Sequence, residues 1–358
     1  MKRNFSFIVG TILLFGFCRE TQNKISQEFM PEAKGEIGSI MLVMDQKQWD
    51  QDLGKQLRDM LREPLPGLPQ DEPLFHLNRV SPKKLNTTLK TSANMIFVIT
   101  LDSRSPESNV LRGFLTPESQ SIIKLDTSVF MSIRKDEFAK GQMILYLFGN
   151  TEKGLGQKLK INKEKILHLF EKRALNRTVK KLFNRREQSL EKTVKEAHSF
   201  RLSIPAGWQQ AVSEPGFYWM RYINRDKEQN VFVYYEPYTN IGIFDQVPEF
   251  RDRITKKFLR DGEKNNLFIT RQMRNDLNTV FLKKTQFKGR YAIESRGLWK
   301  INDNSLGGPY VSYTFVSEKE KLIYYIEGFV AAPGKKKRVL LQEVDAILST
   351  FKEGRINN

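Results

Sequence analysis

Apolar positions along this chain come in two forms, short solid blocks and stripes spaced three or four apart, and the two forms alternate. Ser39-Ile-Met-Leu-Val-Met-Asp45 and Asn94-Met-Ile-Phe-Val-Ile-Thr100 are solid blocks and predict buried strands. Between them, Trp49, Leu53, Leu57, Met60 and Leu61 mark one face of a helix over Trp49–Glu63, stopped by Pro64-Leu-Pro-Gly-Leu-Pro69. Leu74 to Val80 alternates as a strand does, Ser81-Pro82 opens a helix through Leu89, and Asp102 to Pro117 reads as a polar loop. Gln120–Leu125 and Gln142–Phe148 are further strand candidates. The order β-α-β-α-β predicts a layered α/β sandwich over residues 37–150.

A second block follows from Phe200. Phe217–Tyr222, Asn230–Glu236, Asn278–Phe287, Gly289–Lys300, Tyr310–Ser317 and Leu322–Ala331 predict antiparallel strands with aromatic inner faces. Helices are expected over Val247–Lys264 and from Lys335-Lys-Lys-Arg338 through Phe351. The four basic residues at the second helix start oppose its dipole, which points to a surface contact or to a helix that begins later. The fold class expected is α+β, two α/β sandwich domains joined by a long basic helix.

That joining stretch, 151–199 with its helical core Lys163–His198, carries apolar residues at Leu175, Val179, Leu182, Phe183, Leu190, Val194 and Ala197. An unbroken helix of that length would run roughly 54 Å, so a break or bend is expected. From Thr151 to Phe200 there are 14 Lys/Arg against 6 Asp/Glu. Lys172, Arg173, Arg177, Lys180, Lys181, Arg185 and Arg186 flank the apolar stripe. They form either a solvated face or a cationic surface for anionic lipid or an acidic partner.

Composition sharpens the question of partners. The 358 residues carry a net charge of +18, which suits a polyanion or an anionic membrane. The N-terminus narrows that choice. Met1-Lys-Arg-Asn is cationic, and Phe5–Phe17 is uncharged and mostly apolar, too short for a bilayer that needs roughly twenty residues. Cys18, the one cysteine, closes the run. This layout resembles a bacterial lipoprotein signal, with Gly16 fitting the lipobox and Phe17 departing from its small-residue pattern. The resemblance implies a signal over 1–18, a lipid on Cys18, a tether over 19–36 and an extracytoplasmic protein. With Cys18 acylated no thiol remains, so disulfides and thiolate chemistry within one chain are excluded. Export discounts nucleic acid and favours anionic lipid, acidic polysaccharide or an envelope protein as partner.

Chemistry-bearing motifs are few. His76, His168 and His198 have no metal-ligand spacing, no Gly-rich phosphate loop follows a strand, and neither a metal nor another cofactor is expected. Asp45, Asp50, Asp52 and Glu294 would have to supply the acids of an envelope hydrolase acting on an acidic glycan or lipid, the alternative to a non-enzymatic binding or assembly component. The most unusual cluster is Arg296, Trp299, Gly307, Gly308, Pro309 and Tyr310. It is either a site for a planar or anionic ligand, or a hairpin whose glycines sit at positive φ in the turn and whose Trp fills the core.

Two resemblances rest on particular residues. Phe200-Arg-Leu-Ser-Ile-Pro-Ala-Gly-Trp208, with an antiparallel sheet and a closing Ile347-Leu-Ser-Thr-Phe-Lys352, is similar to the sandwich of the PsbP/Mog1-like group and implies that fold for residues 200–352, with 353–358 as a tail. Ile40-Met-Leu-Val-Met-Asp-x-x-x-Trp49, Pro66-Gly-Leu-Pro-Gln-x-Glu-Pro-Leu-Phe75, Arg296-Gly-Leu-Trp-Lys and Gly307-Gly-Pro-Tyr-Val-Ser312 together resemble an uncharacterised family of Bacteroidetes lipoproteins, known as a domain of unknown function. That likeness spans nearly the whole chain after the signal. It implies a lipoprotein of the cell envelope, anchored at the outer membrane, and carries no activity with it.

Overall fold

The computed structural model describes residues 29–126, 128–259, 269–271 and 280–354. The expected signal and Cys18 lie outside the described residues, as do positions 355–358 of the expected tail. Two units are present: one holds the chain up to Glu63 and Phe75–His168, the other Pro64–Leu74 and the chain from Leu169.

The first unit runs β1 (Ser39–Val43), α1 (Gln46–Trp49), α2 (Asp52–Leu61), β2 (His76–Val80), α3 (Thr87–Lys90), β3 (Asn94–Thr100), α4 (Pro106–Arg112), α5 (Pro117–Leu125), β4 (Met131–Lys135), β5 (Met143–Gly149) and α6 (Glu152–Ile161). Its sheet has the order β2-β1-β3-β5-β4, parallel except for β4. All seven residues of β3 are buried, as a parallel strand covered on both faces requires. Met95, Phe97, Ile99, Ile144, Tyr146 and Phe148 form its core with Leu111 and Leu115.

Two expectations fail here for one reason. Gln120–Leu125 is not a strand and Asp102–Pro117 is not all loop: the repeated Ser105-Pro-Glu-Ser108 and Thr116-Pro-Glu-Ser119 each start a helix. Ser105 Oγ accepts from Ser108 N at 3.0 Å and Thr116 Oγ1 from Ser119 N at 3.1 Å. A side-chain cap followed by Pro at the first helical position outweighs the local apolar run.

α7 (Lys163–Leu182) opens in the first unit and ends in the second. The second unit continues with α8 (Gln188–Ala197), β6 (Phe200–Arg201), β7 (Gln209–Glu214), β8 (Phe217–Ile223), β9 (Glu228–Pro237), α9 (Val247–Phe258), β10 (Ile269–Arg271), β11 (Val280–Phe287), β12 (Arg290–Ile301), β13 (Gly307–Ser317), β14 (Leu322–Ala331), α10 (Arg338–Leu348) and β15 (Lys352–Glu353). The stretch Lys163–His198 is thus two helices parted by residues 183–187. Eight strands form a curled antiparallel sheet, β10-β12-β13-β14-β9-β8-β7, with β11 also paired to β12. Alternation along the strands divides its faces. Phe232, Tyr310, Tyr325 and Phe329 pack under Phe250 and Ile254 of α9. Gly328 and Tyr313 meet Val344 and Asp345 of α10 on the other face.

Pro64–Leu74 crosses the start of α10 as a strap. Glu72, buried, accepts from the backbone N–H groups of Lys337 at 2.6 Å and Arg338 at 3.3 Å, and Arg338 Nη1 donates to Leu74 O at 3.1 Å. The helix begins at Arg338 rather than Lys335, and a distant carboxylate supplies the cap that its own basic lead-in does not.

Candidate functional site

The expected cluster on β12 and β13 is split by the sheet. Gly307 and Gly308 lie inside β13, opposite Lys300 and Trp299, and neither sits at positive φ; the turn is 302–306, with Asn304 at φ +64°. The Gly-Gly-Pro turn is therefore corrected to strand: a Cβ on Gly308 would collide with Val330 O, so glycine is required by close strand approach rather than by a turn. Pro309 pairs with Leu298 in the same register. Trp299 is 2% exposed and packs edge-on to Phe329 at 5.2 Å, filling the core.

Tyr310 and Arg296 point to opposite faces. Tyr310 lies beneath Arg251 of α9, whose guanidinium is 4.1 Å from the ring centroid and makes two 2.7 Å bonds to Glu327. Burial alone would lower the Arg251 pKa, but Glu327 beside it outweighs that and holds it above the ordinary value. Arg296 pairs with Glu294 and, at 3.2 Å, with Asp345, which also accepts from Tyr313 OH at 2.9 Å. Both arginines are engaged inside the unit, and Glu294, one of the acids expected for hydrolysis, is engaged with one of them.

The other expected acids lie in the first unit. Asp45 is buried and caps α1, accepting from Lys47 N at 2.9 Å, Ser108 Oγ at 2.6 Å and Ser105 Oγ. Burial opposes its charge, yet these donors prevail and hold it below the usual carboxylate range. Asp50 accepts from Gln46 Nε2 at 2.8 Å, and Asp52 sits in the first turn of α2. His198, buried at the end of α8, lies 2.9 Å from Ser213 Oγ and 3.2 Å from Tyr235 OH; burial lowers its pKa. Among the described residues no three His, Cys, Asp or Glu gather to hold a metal.

Of the seven basic residues expected on α7 and its loop, Lys181 and Arg185 line a concavity and the other five do not. Lys172, Lys180, Lys181, Arg185 and Arg186 are exposed, and Arg173 and Arg177 are half-buried, with burial lowering Arg177. Arg186 pairs with Glu191. The loop after α7 is pinned by Glu187 N to Ile204 O at 2.9 Å and Ala206 N to Arg185 O at 3.1 Å. Glu187 Oε1 accepts from Gly207 N at 2.6 Å. Gly207, at φ +85°, lets the turn close against Tyr222, whose ring a Cβ would meet at 3.2 Å. These bonds frame a groove of about 310 Å³ lined by Lys181, Arg185, Trp208, Tyr222, Lys227, Gln229 and Glu343. That volume is at the small end of ligand sites, about 300–1,000 Å³.

Within the groove, Lys227 Nζ lies 3.4 Å from Glu343 and 5.4 Å from the Tyr222 ring centroid. Gln229 Nε2 donates to Glu343 and to Leu340 O, each at 3.1 Å. Lys181 and Arg185 have no carboxylate partner among the described residues. The site therefore offers two uncommitted cations at its rim and a polar, hydrogen-bonded floor. Sequence reasoning reached Lys181 and Arg185 but missed Trp208, Tyr222, Lys227, Gln229 and Glu343; the Ala206-Gly-Trp208 turn was the one local signal near them.

No described helix is long and apolar enough to cross a membrane. No curated protein matches the chain. Among solved structures it is similar to LpqN of Mycobacterium tuberculosis, described as involved in cell envelope biogenesis, at 13% identity over 43% of this chain and 83% of that one, TM-score 0.27. It is also similar to the Ran-binding protein Mog1p of Saccharomyces cerevisiae, at 9% identity over 43% of this chain and 90% of that one, TM-score 0.28. At TM-scores this low neither likeness bears on function. Residues 33–183 match the family described as a domain of unknown function, DUF8532, and residues 187–350 match a second, DUF4837. The chain thus carries two domains of unknown function, one following the other.

Proposed function

We propose that this protein is a cell-envelope lipoprotein, held to the membrane through Cys18, and that its second unit is a non-enzymatic module binding an acidic polysaccharide. One observation carries the reading: Lys181 and Arg185 stand unpaired at the rim of a concave groove whose floor presents Tyr222, Gln229 and Glu343. Unpaired cations attract carboxylate or sulfate groups, and polar side chains below them suit sugar hydroxyls. The carboxylate lining the groove, Glu343, is tied to Lys227 and Gln229, which leaves no pair of acids poised across a glycosidic bond. This favours binding over hydrolysis at the groove.

The purified protein is expected to bind immobilised polygalacturonate and not neutral dextran, with affinity falling steeply as salt rises. Lys181→Glu with Arg185→Glu should abolish that binding. Equal binding of the double variant, or binding only to phosphatidylglycerol vesicles, refutes the groove as a polysaccharide site. Mass spectrometry of the mature N-terminus tests the anchor; a free Cys18 thiol refutes it.

A further inference from the structure

His198 and Ser213 form a base and nucleophile pair in the second unit, and neither lines the groove. His198 ends α8, where its N–H donates to Val194 O at 3.0 Å. Its ring is walled by Phe200 at 5.4 Å, Tyr218 at 5.5 Å and Tyr235 at 6.1 Å, the two tyrosines edge-on. Ser213 stands on β7 opposite Tyr218, past a register shift between Gln210 and Val212. An extra residue of this kind re-aims the side chains that follow it. Nε2 of His198 lies 2.9 Å from Ser213 Oγ, and Nδ1 lies 3.2 Å from Tyr235 Oη.

Those distances place the ring proton. A 3.2 Å separation fits an N–H donor, with its range of about 2.7–3.2 Å, and exceeds that of a hydroxyl donor, about 2.5–3.0 Å. Nδ1–H therefore donates to Tyr235 Oη, and Nε2 accepts the hydroxyl proton of Ser213. A serine bonded to a base that a third group orients is the arrangement of an activated nucleophile. His198 is 2% exposed, while Ser213 is exposed. The titratable side chains packed on the ring are Tyr218 and Tyr235, and burial lowers the His198 pKa, which favours the neutral ring that can take a proton.

We infer that Ser213 is a modification site, an acceptor of one acyl group from an activated oxoester. Oγ attacks the ester carbonyl carbon while its proton passes to His198 Nε2. The bond from that carbon to the leaving oxygen then breaks, and the leaving oxygen takes the proton from Nε2. The product is an O-acyl serine. Hydrolysis does not follow, because His198 is buried behind Ser213 and an acyl group on Oγ shields Nε2 from water. The site is filled once per chain, in keeping with a module that binds rather than turns over.

The test treats the full chain with p-nitrophenyl acetate and follows both released p-nitrophenol and the acetylated position, the latter by peptide mapping in a mass spectrometer. An acetyl group is expected on Ser213, and Ser213→Ala should release one equivalent less p-nitrophenol. The rate at Ser213 should be level above about pH 6.5 and fall as pH drops through the folded His198 value. His198→Asn, its fold checked by circular dichroism, should slow acetylation about a hundredfold or more. Lys181→Glu with Arg185→Glu should leave the rate unchanged, which separates this site from the groove. No acetyl group on Ser213, a native rate in His198→Asn, or continued turnover that Ser213→Ala removes overturns the proposal. So does a rate at Ser213 in the native chain that does not fall in acid, a measurement that needs no variant.

Discussion

Removing the Glu72 carboxylate should unseat α10. Glu72 is buried and accepts two backbone N–H groups, at 2.6 and 3.3 Å, at the start of a helix whose own lead-in, Lys335-Lys-Lys337, is all basic. Hydrogen bonds to a charged group contribute about 1.5–3 kcal/mol each, the longer one less. Loss of a helix cap by itself costs up to about 2 kcal/mol. Glu72→Ala should therefore destabilise the second unit by about 3 kcal/mol, and Glu72→Gln, which keeps one acceptor oxygen, by about 1 kcal/mol. Urea unfolding followed by tryptophan fluorescence reports on the right unit, because Trp208, Trp219 and Trp299 belong to it and only Trp49 to the other. With a slope of about 2–3 kcal/mol per molar, the Ala variant should move the midpoint down by about 1–1.5 M. A loss under about 0.5 kcal/mol for Glu72→Ala would show that Lys337 and Arg338 N–H find water instead, and would refute the strap as a cap.

Further outcomes are expected elsewhere. Arg251→Met or Glu327→Leu alone should each cost about 3–5 kcal/mol by stranding a buried charge, and the double variant should recover most of it in a denaturation series. Burial lowers the His198 pKa, so the unfolded chain binds its proton more readily; stability should be full above about pH 6.5 and fall as pH drops toward the folded value, a slope that His198→Asn should flatten in unfolding titrations. Gly308→Ala should cost about 3 kcal/mol or more because its Cβ meets Val330 O, while Gly289→Ala, at φ +80° with open space around it, should cost about 1 kcal/mol in the same assay.

Much of the fold was legible because burial leaves a mark on local sequence. Asn94–Thr100 reads as a buried strand since parallel pairing covers both its faces, and Tyr310–Ser317 and Leu322–Ala331 read as strands since each is rich in aromatic and β-branched residues. Gln120–Leu125 misled because six residues with Ile122, Ile123 and Leu125 fit a strand as well as a helix turn; the Thr116-Pro117 cap upstream decided it. The Gly307-Gly308 pair misled because glycine in a strand and glycine in a turn look alike until the neighbouring carbonyl is placed. Glu72 stands in the Pro66–Phe75 motif, but its capping role was not legible, since the two N–H groups it accepts from are 265 and 266 positions away. The groove was half legible for the same reason: Lys181 and Arg185 stand in a visible basic run, whereas Tyr222, Gln229 and Glu343 meet them only through tertiary structure.

The most direct test of the groove as the ligand site is hydrogen exchange of the full chain with and without polygalacturonate. The expected result is added protection in residues 181–185, 205–208 and 222–229, absent in the Lys181→Glu, Arg185→Glu variant. Binding that protects only the outer basic face around Lys172 and Lys180, or protects none of these segments, would contradict it.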